Sequence, residues 1–565
     1  MTTLTFICAN WGPGQTSCKK EGTYTCKNCY LVTYCGPACQ KSHWSHHKTE
    51  CKSSLGKQTW QPAWVLEGRT PAFIGDGIGE SFGAAKYLWG NVPAFDVLKL
   101  GSNEGEGYAG DLRLLFAASG DLRNVVQTVA HLPSCYNDSL EITINDRDFD
   151  IVARNVILLL VALVVEKSDE AIDCIIHLWY STLVRESDVA ILNTQVRPLI
   201  QDICEKIKGK PAGSLQAKTW RFGNCSVRVV LEQSSWKRLL FFLDKPAGLT
   251  ADHAQKIRAA NTLAHSRRDY RDRYMCYLSP FRRVAFNKFR QDGLLLPFGF
   301  PRFEFREPNP TFFQTADTWP MVDNADPLHG WSLEEVMNTR NGGTTADIYG
   351  KLFFYIRGLL RSFFDRLLDS KISFRLFHLD AVSLPNHLDK DCFSRIDVSN
   401  ISDMGWVGIY HTLHLMIPLL QTRAQNPYAT LITLFMNAVE ETLTDQDRRQ
   451  GLSLNDPVVK NVLKYIPPNG RPPSTYSPWI IKFETARALV TNYDHIFDRF
   501  LKNREFREAG DAFDAVMKAQ HTIIEKWPYR LKLRPGQPGA QEEFDRCMTV
   551  GVSGNERYVE WKRVH

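Results

Sequence analysis

Seven cysteines and one histidine within the first 51 residues have the spacing of metal ligands. After the first two cysteines the pattern reads C-x2-C, x5, C-x3-C, x7, H-x3-C. The eight candidate ligands are Cys8, Cys18, Cys26, Cys29, Cys35, Cys39, His47 and Cys51. Tetrahedral Zn²⁺ takes four sulfur or nitrogen donors, so eight donors fill two closed sites and leave no open position for chemistry. We therefore predict two structural Zn²⁺ ions in this segment.

The later half of the segment, Y-C-x3-C-Q-x2-H-W-x2-H-x3-C, resembles a MYND zinc finger. The residues that carry the resemblance are Tyr34, Cys35, Cys39, Gln40, His43, Trp44, His47 and Cys51. Because the ligand pairs of that family are cross-braced, the resemblance implies two interleaved sites. One zinc would bind Cys8, Cys18, Cys35 and Cys39, and the other Cys26, Cys29, His47 and Cys51.

The first ligand pair departs from the family pattern. The pair is usually C-x2-C, whereas the nine residues ANWGPGQTS separate Cys8 from Cys18. Four of these residues favour a turn that would bring the two thiolates together: Asn10, Gly12, Pro13 and Gly14. Cys8 is therefore the ligand whose assignment depends on the path of this segment.

The finger has two functional interpretations. A module this small has too little apolar core to fold without metal, so it could serve only to stabilise the N-terminus of a larger protein. The family resemblance implies instead a groove that takes short proline-containing peptides, lined by Gln40 and Trp44. An exposed indole beside an amide suits an extended proline-rich ligand. We expect this peptide binding, and we expect His43 and His46 to lie on the helix surface instead of binding metal.

The overall composition predicts a well-packed protein with a balanced charge. The chain has 565 residues, of which 44% are hydrophobic and 12% aromatic, and a net charge of +6 from 68 basic and 62 acidic side chains. This charge is too balanced to indicate a nucleic-acid partner without a local basic patch. The nearest patch, at 267–290, is diluted by Asp269 and Asp272, so we expect a solvated helix face followed by a packing segment.

The remaining cysteines and the hydrophobic pattern predict an intracellular protein, cytoplasmic or nuclear. Seven further cysteines are scattered without paired spacing, which is typical of a reducing compartment. The N-terminal residues lack a basic region followed by an apolar run, so we expect no secretory signal. The longest apolar stretch, 156–165, has ten residues, about half of what a bilayer requires, and is expected to be a buried helix.

Two clusters of alternating strands and helices predict an α/β fold. Residues 112–118 and 140–146 read as strands, followed by helices at 122–132 and about 148–165. Later in the chain, 372–379, 393–400 and 429–436 read as strands, with a helix at 406–421. The order of elements matches a Rossmann-like sheet similar to the core of class I methyltransferases.

This interpretation divides the chain into six segments. We predict a zinc finger (1–54), a linker or irregular entry (55–84), two halves of a Rossmann-like domain (85–167 and 371–442), a mostly helical insertion (168–370), and a helical C-terminal region (443–565). The last region carries a Pro-rich link at 465–478, amphipathic helices at 483–501 and 513–525, and a basic tail.

A nucleotide-type cofactor would require a glycine-rich turn after the first strand and an acidic residue after the second. The acidic candidates are Asp146 and Asp148, but the turn, AASGDLRN, offers Gly120 alone. We therefore expect a sheet kept as a scaffold, and the candidate contacts of a cofactor, as the alternative, are Gly120, Asp146 and Asp148.

The body also resembles a domain of unknown function. The segments AASGDLRNVVQTVA and INDRDFDIVARNVILLL are similar to a domain shared by dynein axonemal assembly factor 3 proteins and by fungal proteins that carry it behind a MYND finger. The segments LLLPFGFPRFEFREPNPTFF, DNADPLHGW and IIEKWPYRLKLRPGQPGAQEEF resemble later parts of those fungal chains. The resemblance supplies no catalytic residues.

Two functional hypotheses follow. The first is a zinc-binding adaptor that binds proteins with short proline-containing motifs and has a non-catalytic methyltransferase-like body. The alternative is an S-adenosylmethionine-dependent methyltransferase. The sequence contains no G-x-S-x-G, no G-x4-G-K-[ST] and no H-E-x-x-H motif, and no nucleophile can be paired with a base. We name no catalytic residues.

Overall fold

A computed structural model describes residues 6–11, 18–74, 82–449, 453, 455–468, 470, 475–549 and 554–565. The turn predicted at Gly12, Pro13 and Gly14 lies outside these residues, as does part of the Pro-rich link.

Strands from both predicted halves of the Rossmann-like domain, from the long segment between them and from the C-terminal region meet in one large mixed sheet. The strands are β1 (Tyr24–Thr25), β2 (Thr33–Tyr34), β3 (Leu112–Phe116), β4 (Ser139–Asp146), β5 (Leu183–Arg185), β6 (Leu215–Phe222), β7 (Cys225–Glu232), β8 (Phe305–Pro308), β9 (Lys371–His378), β10 (Arg395–Asp397), β11 (Thr430–Phe435), β12 (Ala515–Met517) and β13 (Arg557–Arg563). Nine of them form the sheet, in the order β12-β13-β11-β10-β3-β4-β9-β7-β6. β1 pairs with β2, and β5 with β8, in two small antiparallel pairs.

Six parallel strands, β7-β9-β4-β3-β10-β11, form the centre of the sheet. Their register places Phe116 of β3 between Ile144 of β4 and Asp397 of β10. Alternate residues of β3 point to opposite faces, so Leu114 and Leu115 belong to different apolar clusters. The two strand clusters predicted on either side of the long central segment therefore lie in one sheet, buried on both faces as parallel strands usually are.

Both edges of the sheet come from regions that the sequence analysis described as helical. The antiparallel hairpin β6–β7 lies inside the segment predicted as a mostly helical insertion, and it turns at Gly223, whose φ is +55°. On the other side, β13 pairs antiparallel with β11 and β12 pairs antiparallel with β13. The description of the C-terminal region as helical is thus corrected, because two of its segments complete the sheet.

Helices surround the sheet. They are α1 (Pro37–Cys51), α2 (Ala63–Leu66), α3 (Arg123–Ala130), α4 (Phe149–Val164), α5 (Ser168–Tyr180), α6 (Glu186–Ile191), α7 (Arg197–Lys206), α8 (Gln233–Phe241), α9 (Ala251–Thr262), α10 (Arg268–Met275), α11 (Pro280–Asp292), α12 (Leu333–Asn338), α13 (Ile348–Asp369), α14 (Ile409–Met416), α15 (Ala438–Thr442), α16 (Asp445–Arg449), α17 (Pro457–Tyr465), α18 (Pro478–Val490), α19 (Asp494–Asn503), α20 (Phe506–Ala512) and α21 (Ala540–Cys547). Apolar residues of α3, α4, α5 and α13 join the larger core, and those of α14, α19 and α20 join the core on the other face.

All but the last residue of the apolar run at 156–165 lies in α4, a helix that is buried along nearly its whole length. The helix begins where the Asp148 side chain accepts the N–H of Asp150, at 2.9 Å. None of the described helices is both long and apolar enough to cross a membrane.

Three helix predictions need correction. The helix predicted at 483–501 is two helices, α18 and α19, and the one predicted at 406–421 begins only at Ile409. The helix predicted at 513–525 does not form. There, Asp514 has φ +56°, β12 follows, and the amides of residues 522–524 donate to the carboxylate of Glu560 instead of to a helix turn.

The segment after the finger is fixed to the basic stretch at 267–290. Arg283 donates to the carbonyls of Leu55 and Lys57, both at 2.8 Å, and Asp272 accepts the N–H of Ala63 at 2.8 Å. Asp269 accepts both terminal nitrogens of Arg69, at 2.5 and 2.8 Å. These charged side chains therefore bind other parts of the same chain. The stretch at 267–290 packs against the segment that follows the finger.

The finger packs directly against the body. Trp11 donates its indole N–H to the carbonyl of Gly299 at 2.6 Å, and Ala346 donates its N–H to the carbonyl of Tyr30 at 3.2 Å. Phe6 meets Phe354 of α13 edge to face, with ring centroids 5.2 Å apart. Because apolar residues of the finger and of the body belong to one continuous cluster, the finger is part of the main core.

Candidate metal centre and interaction surface

A short antiparallel pairing places the first two ligands side by side. Ile7 bridges to Glu21, Cys8 donates its N–H to the carbonyl of Lys20 at 3.0 Å, and Cys18 donates to the carbonyl of Asn10 at 3.1 Å. The chain at Asn10 is therefore held next to the chain at Cys18. This pairing brings the thiols of Cys8 and Cys18 to the same site despite their unusual spacing.

The sulfur atoms of the first site have tetrahedral spacing. Cys8, Cys18, Cys35 and Cys39 place their ligand atoms within 4.8 Å of one another. The Sγ atoms of Cys18 and Cys35 are 3.6 Å apart, and those of Cys35 and Cys39 are 3.4 Å apart. A tetrahedron with Zn–S bonds of about 2.3 Å has edges of about 3.8 Å, so the four sulfurs fit one zinc ion.

The second site combines three sulfurs and one imidazole, and all four residues are buried. It consists of Cys26, Cys29, His47 and Cys51. The Sγ atoms of Cys26 and Cys51 are 3.9 Å apart, and Sγ of Cys29 lies 3.4 Å from Nε2 of His47. These separations match a Cys₃His zinc site. The prediction of two zinc sites with interleaved ligands is confirmed.

The local secondary structure explains the interleaving. Cys26 and Cys29 lie in the turn between β1 and β2, and Cys35 directly follows β2. Cys39, His47 and Cys51 are separated by multiples of four along α1, so they project from one side of the helix. One helix therefore supplies ligands to both sites and ties them together.

Burial makes free thiolates unfavourable at both sites. The hydrogen bond with Cys26 and the burial of the thiol both raise the pKa of Cys29. Burial likewise raises the pKa of Cys8 in the first site. Thiolates held this close repel one another, and Zn²⁺ offsets this repulsion when it binds the deprotonated sulfurs.

Asn28 also contributes to the second site, a role that the ligand spacing did not predict. Its Nδ2 donates to Sγ of Cys51 at 3.2 Å and to the carbonyl of the same residue at 3.0 Å. An N–H donated to a ligand sulfur orients it and stabilises its negative charge. Its position between Cys26 and Cys29 is the signal that could have identified it.

The two histidines beside His47 lie outside both ligand clusters. His43 lies within hydrogen-bonding distance of Tyr34, with Nδ1 3.0 Å from the hydroxyl, and its ring stacks on that of His47 with centroids 6.1 Å apart. His46 is exposed on α1.

Gln40 and Trp44 lie one turn apart on α1, outside the ligand stripe. The Trp44 side chain keeps 37% of its surface exposed even though the finger is packed against the body. Its ring meets His47 edge to face, with centroids 6.1 Å apart, and Nζ of Lys52 lies 5.9 Å from the indole centroid. The exposed indole of Trp44 therefore packs against His47, a ligand of the second zinc site. Gln40 is half-buried beside it.

The finger is a cross-braced module with two closed zinc sites. A family model described as MYND finger matches residues 16–51, and a second, described as Domain of unknown function (DUF4470), matches residues 88–184. No curated protein and no solved structure matches the chain. The MYND match and the geometry of the two sites support a zinc-binding, protein-interaction role.

The three candidate cofactor residues lie at the carboxyl ends of β3 and β4. Gly120 donates its N–H to Oδ2 of Asp146 at 2.9 Å, and the carbonyl of Gly120 accepts from Asn155 at 2.8 Å. Oδ1 of Asp146 accepts the N–H of Asp148, and burial raises the pKa of Asp146. Asp148 caps α4. The structure brings Gly120 and Asp146 together and satisfies both with groups of the chain itself.

Proposed function

We propose that this protein is a zinc-dependent adaptor that binds short proline-containing segments of other proteins through Gln40 and Trp44. The observation that carries the proposal is the exposed indole of Trp44, fixed on the helix that supplies ligands to both zinc sites. A rigid aromatic face loses little conformational entropy on binding and stacks well on a proline ring.

The charge around this surface favours partners with acidic residues beside the proline. Exposed lysines on and next to α1, Lys41, Lys48 and Lys52, lie along the same helix. Its one acidic residue, Glu50, is paired with Lys288 of the body at 2.9 Å. Complementary charge would speed association and select against basic partners.

The proposal is tested by a proline-containing peptide array, followed by titration of the best peptide against the zinc-loaded full-length protein. We expect Trp44→Ala to weaken binding at least tenfold, because truncating an aromatic anchor costs about 2 kcal/mol or more. Tyr24→Ala is the matched control, since Tyr24 is 60% exposed on another part of the finger. Equal affinities of the wild type and Trp44→Ala, with two zinc ions in each, would refute the proposed surface.

We also propose that the sheet is a Rossmann-like, methyltransferase-like scaffold without catalytic activity. Five of its parallel strands, β9-β4-β3-β10-β11, follow the doubly wound order 3-2-1-4-5, which supports the proposed fold. The backbone of Gly120 and the carboxylate of Asp146 bond to each other, which supports the proposed lack of cofactor binding. The proposed relationship to the domain of dynein axonemal assembly factor 3 proteins rests on the segments AASGDLRNVVQTVA and INDRDFDIVARNVILLL.

An S-adenosylmethionine-dependent methyltransferase is the second candidate. It is favoured by the position of Gly120 and Asp146, at the carboxyl ends of adjacent parallel strands, where doubly wound sheets bind nucleotides. Calorimetry of the full-length protein with S-adenosylmethionine separates the candidates. We expect no heat of binding at millimolar ligand. Saturable binding that is lost in Asp146→Ala would instead favour the enzyme.

A further inference from the structure

A large pocket opens on the side of the molecule formed by the C-terminal region. It has a volume of about 740 Å³ and lies between α20, β12, β13 and the loop that follows β12. Both β12 and β11 are antiparallel to β13, so β12 runs parallel to the central strands and the pocket reaches its carboxyl end. Ligands of open α/β sheets bind at the carboxyl ends of strands, and this volume is typical of small-molecule sites.

The floor and the near wall of the pocket are apolar. Val516 and Met517 of β12 provide the apolar surface that a ligand can reach, and the buried rings of Phe506 and Trp561 stack beneath it with centroids 5.9 Å apart. Val516 is 42% exposed, which leaves an aliphatic side chain at the edge of the pocket. Such a surface favours the apolar body of a ligand.

The opposite wall is an irregular loop that is held in place by one buried carboxylate. Glu560 accepts the N–H groups of Thr522, Ile523 and Ile524 at 3.0, 2.8 and 2.9 Å, and Lys518 lies 3.1 Å from the same carboxylate. Because these bonds lie within the chain, the wall is formed before any ligand arrives, which reduces the entropic cost of binding.

Several charged groups of the pocket are already neutralised within the chain. Lys518 pairs with Glu560, and Lys526 pairs with Asp498 at 2.9 Å. Glu525 lies 2.9 Å from Lys532.

Two guanidinium groups lie at the rim. Within the described part of the chain Arg507 has no ion pair within 4.0 Å, whereas Arg530 pairs with Glu525 at 3.7 Å, an exposed pair that is weak in water. Asp511, one turn after Arg507, is the acidic group of the same helix that faces the pocket. The rim therefore offers two arginines to an anion, beside two carboxylates, Asp511 and Glu525, of which Glu525 is shared between Arg530 and Lys532.

We propose that this pocket binds an apolar molecule that carries one carboxylate or phosphate group. The apolar body contacts Leu501, Val516 and Met517, and the anionic group is bound by Arg507 and Arg530. Arginine suits both head groups because its planar guanidinium donates two parallel hydrogen bonds to them. This site is independent of the zinc finger and of the region around Gly120.

The proposal is tested by titrating the full-length, zinc-loaded protein with decanoate, decyl phosphate and uncharged decanol, each below its micelle concentration. We expect saturable binding of at least one anion, at least tenfold tighter than that of decanol. Arg507→Gln combined with Arg530→Gln should remove this preference, and Ala519→Trp, at an exposed lining position, should block binding by filling the pocket.

Arg221→Gln is the matched control, because Arg221 is an exposed arginine on β6, at the opposite edge of the sheet. Unchanged thermal unfolding of each variant shows that it is folded. The relative affinities of the two anions identify the head group, and stronger binding of either one supports the site. Equal binding of decanol, or anion binding that survives both the double substitution and Ala519→Trp, would overturn the proposal.

Discussion

His43 and His47 lie one turn apart on α1, yet only His47 has a ligand nitrogen next to a cysteine sulfur. His43 instead faces the hydroxyl of Tyr34. We expect His47→Ala to bind one zinc ion instead of two, because its site loses one of four donors. His43→Ala should still bind two. The measurement is the zinc-to-protein ratio by mass spectrometry, and the loss of zinc from His43→Ala would show that the ligand was assigned to the wrong histidine.

The buried carboxyl group of Asp347 should make the stability of the folded protein depend on pH. Its buried carboxylate accepts the N–H groups of Phe298 and Gly350 at 2.7 and 2.8 Å, and burial raises its pKa to about 6 although Arg302 and Lys351 act in the other direction. A carboxyl whose pKa is raised on folding contributes stability that is complete below its ordinary pKa and is lost as the pH rises through about 6.

The test compares urea unfolding of the wild type and Asp347→Asn from pH 4 to pH 7.5. We expect the free energy of unfolding of the wild type to fall by about 2 kcal/mol relative to that of Asp347→Asn over this range. Zinc release at low pH affects both proteins and cancels in the difference. A difference that is constant with pH would mean that Asp347 titrates normally.

At the scale of elements, the loop after β12 depends on Glu560. We expect Glu560→Gln to destabilise the protein by about 3 kcal/mol. The substitution removes the negative charge that neutralises the buried ammonium group of Lys518. It also replaces one of the two oxygens that accept the N–H groups of residues 522–524. Amide exchange in this loop should accelerate before global unfolding.

Glu525→Gln is the control for this loop. Glu525 is exposed and pairs at the surface with Lys532, so its loss should change stability by about 0.5 kcal/mol or less. Equal protection of the loop in the wild type and in Glu560→Gln would contradict the role assigned to Glu560.

The central strands were predictable because each is a short apolar run followed by polar turn residues. Residues 112–118 and 429–436, for example, contain β3 and β11. The hairpin β6–β7 was missed although it carries a usable signal, since two alternating runs flank Gly223 and Asn224, a typical two-residue hairpin turn. The short edge strand β12 offered no such signal. Its apolar residues also fit a helical period, and only its pairing with β13, more than forty residues later, decides its structure.

The zinc ligands were predictable for a different reason. Ligand chemistry fixes both residue type and spacing, so eight positions could be named without knowledge of the fold. The position of Asn28 between two ligands made it a candidate, but its hydrogen bond to Cys51 depends on the three-dimensional path of the turn between Cys26 and Cys29.

At the scale of the whole molecule, the finger and the body share one apolar core. Ala9 and Val32 of the finger approach Gly299 so closely that a Cβ at this glycine would lie 3.2 Å from that of Ala9. Glu50 of α1 pairs with Lys288 of α11. Loss of the zinc ions should therefore expose apolar surface on the body as well as unfold the finger.

The central claim is that two structural zinc ions hold the finger as an integral part of the folded molecule. The most direct test is thermal unfolding of the full-length protein with two zinc ions and after their complete removal by a chelator. We predict one cooperative transition that moves down by roughly 5–10 °C on zinc removal, because the body loses its packing against Ala9, Trp11 and Phe6. An unchanged transition of the body after zinc removal would contradict the account and show that the finger is an independent module.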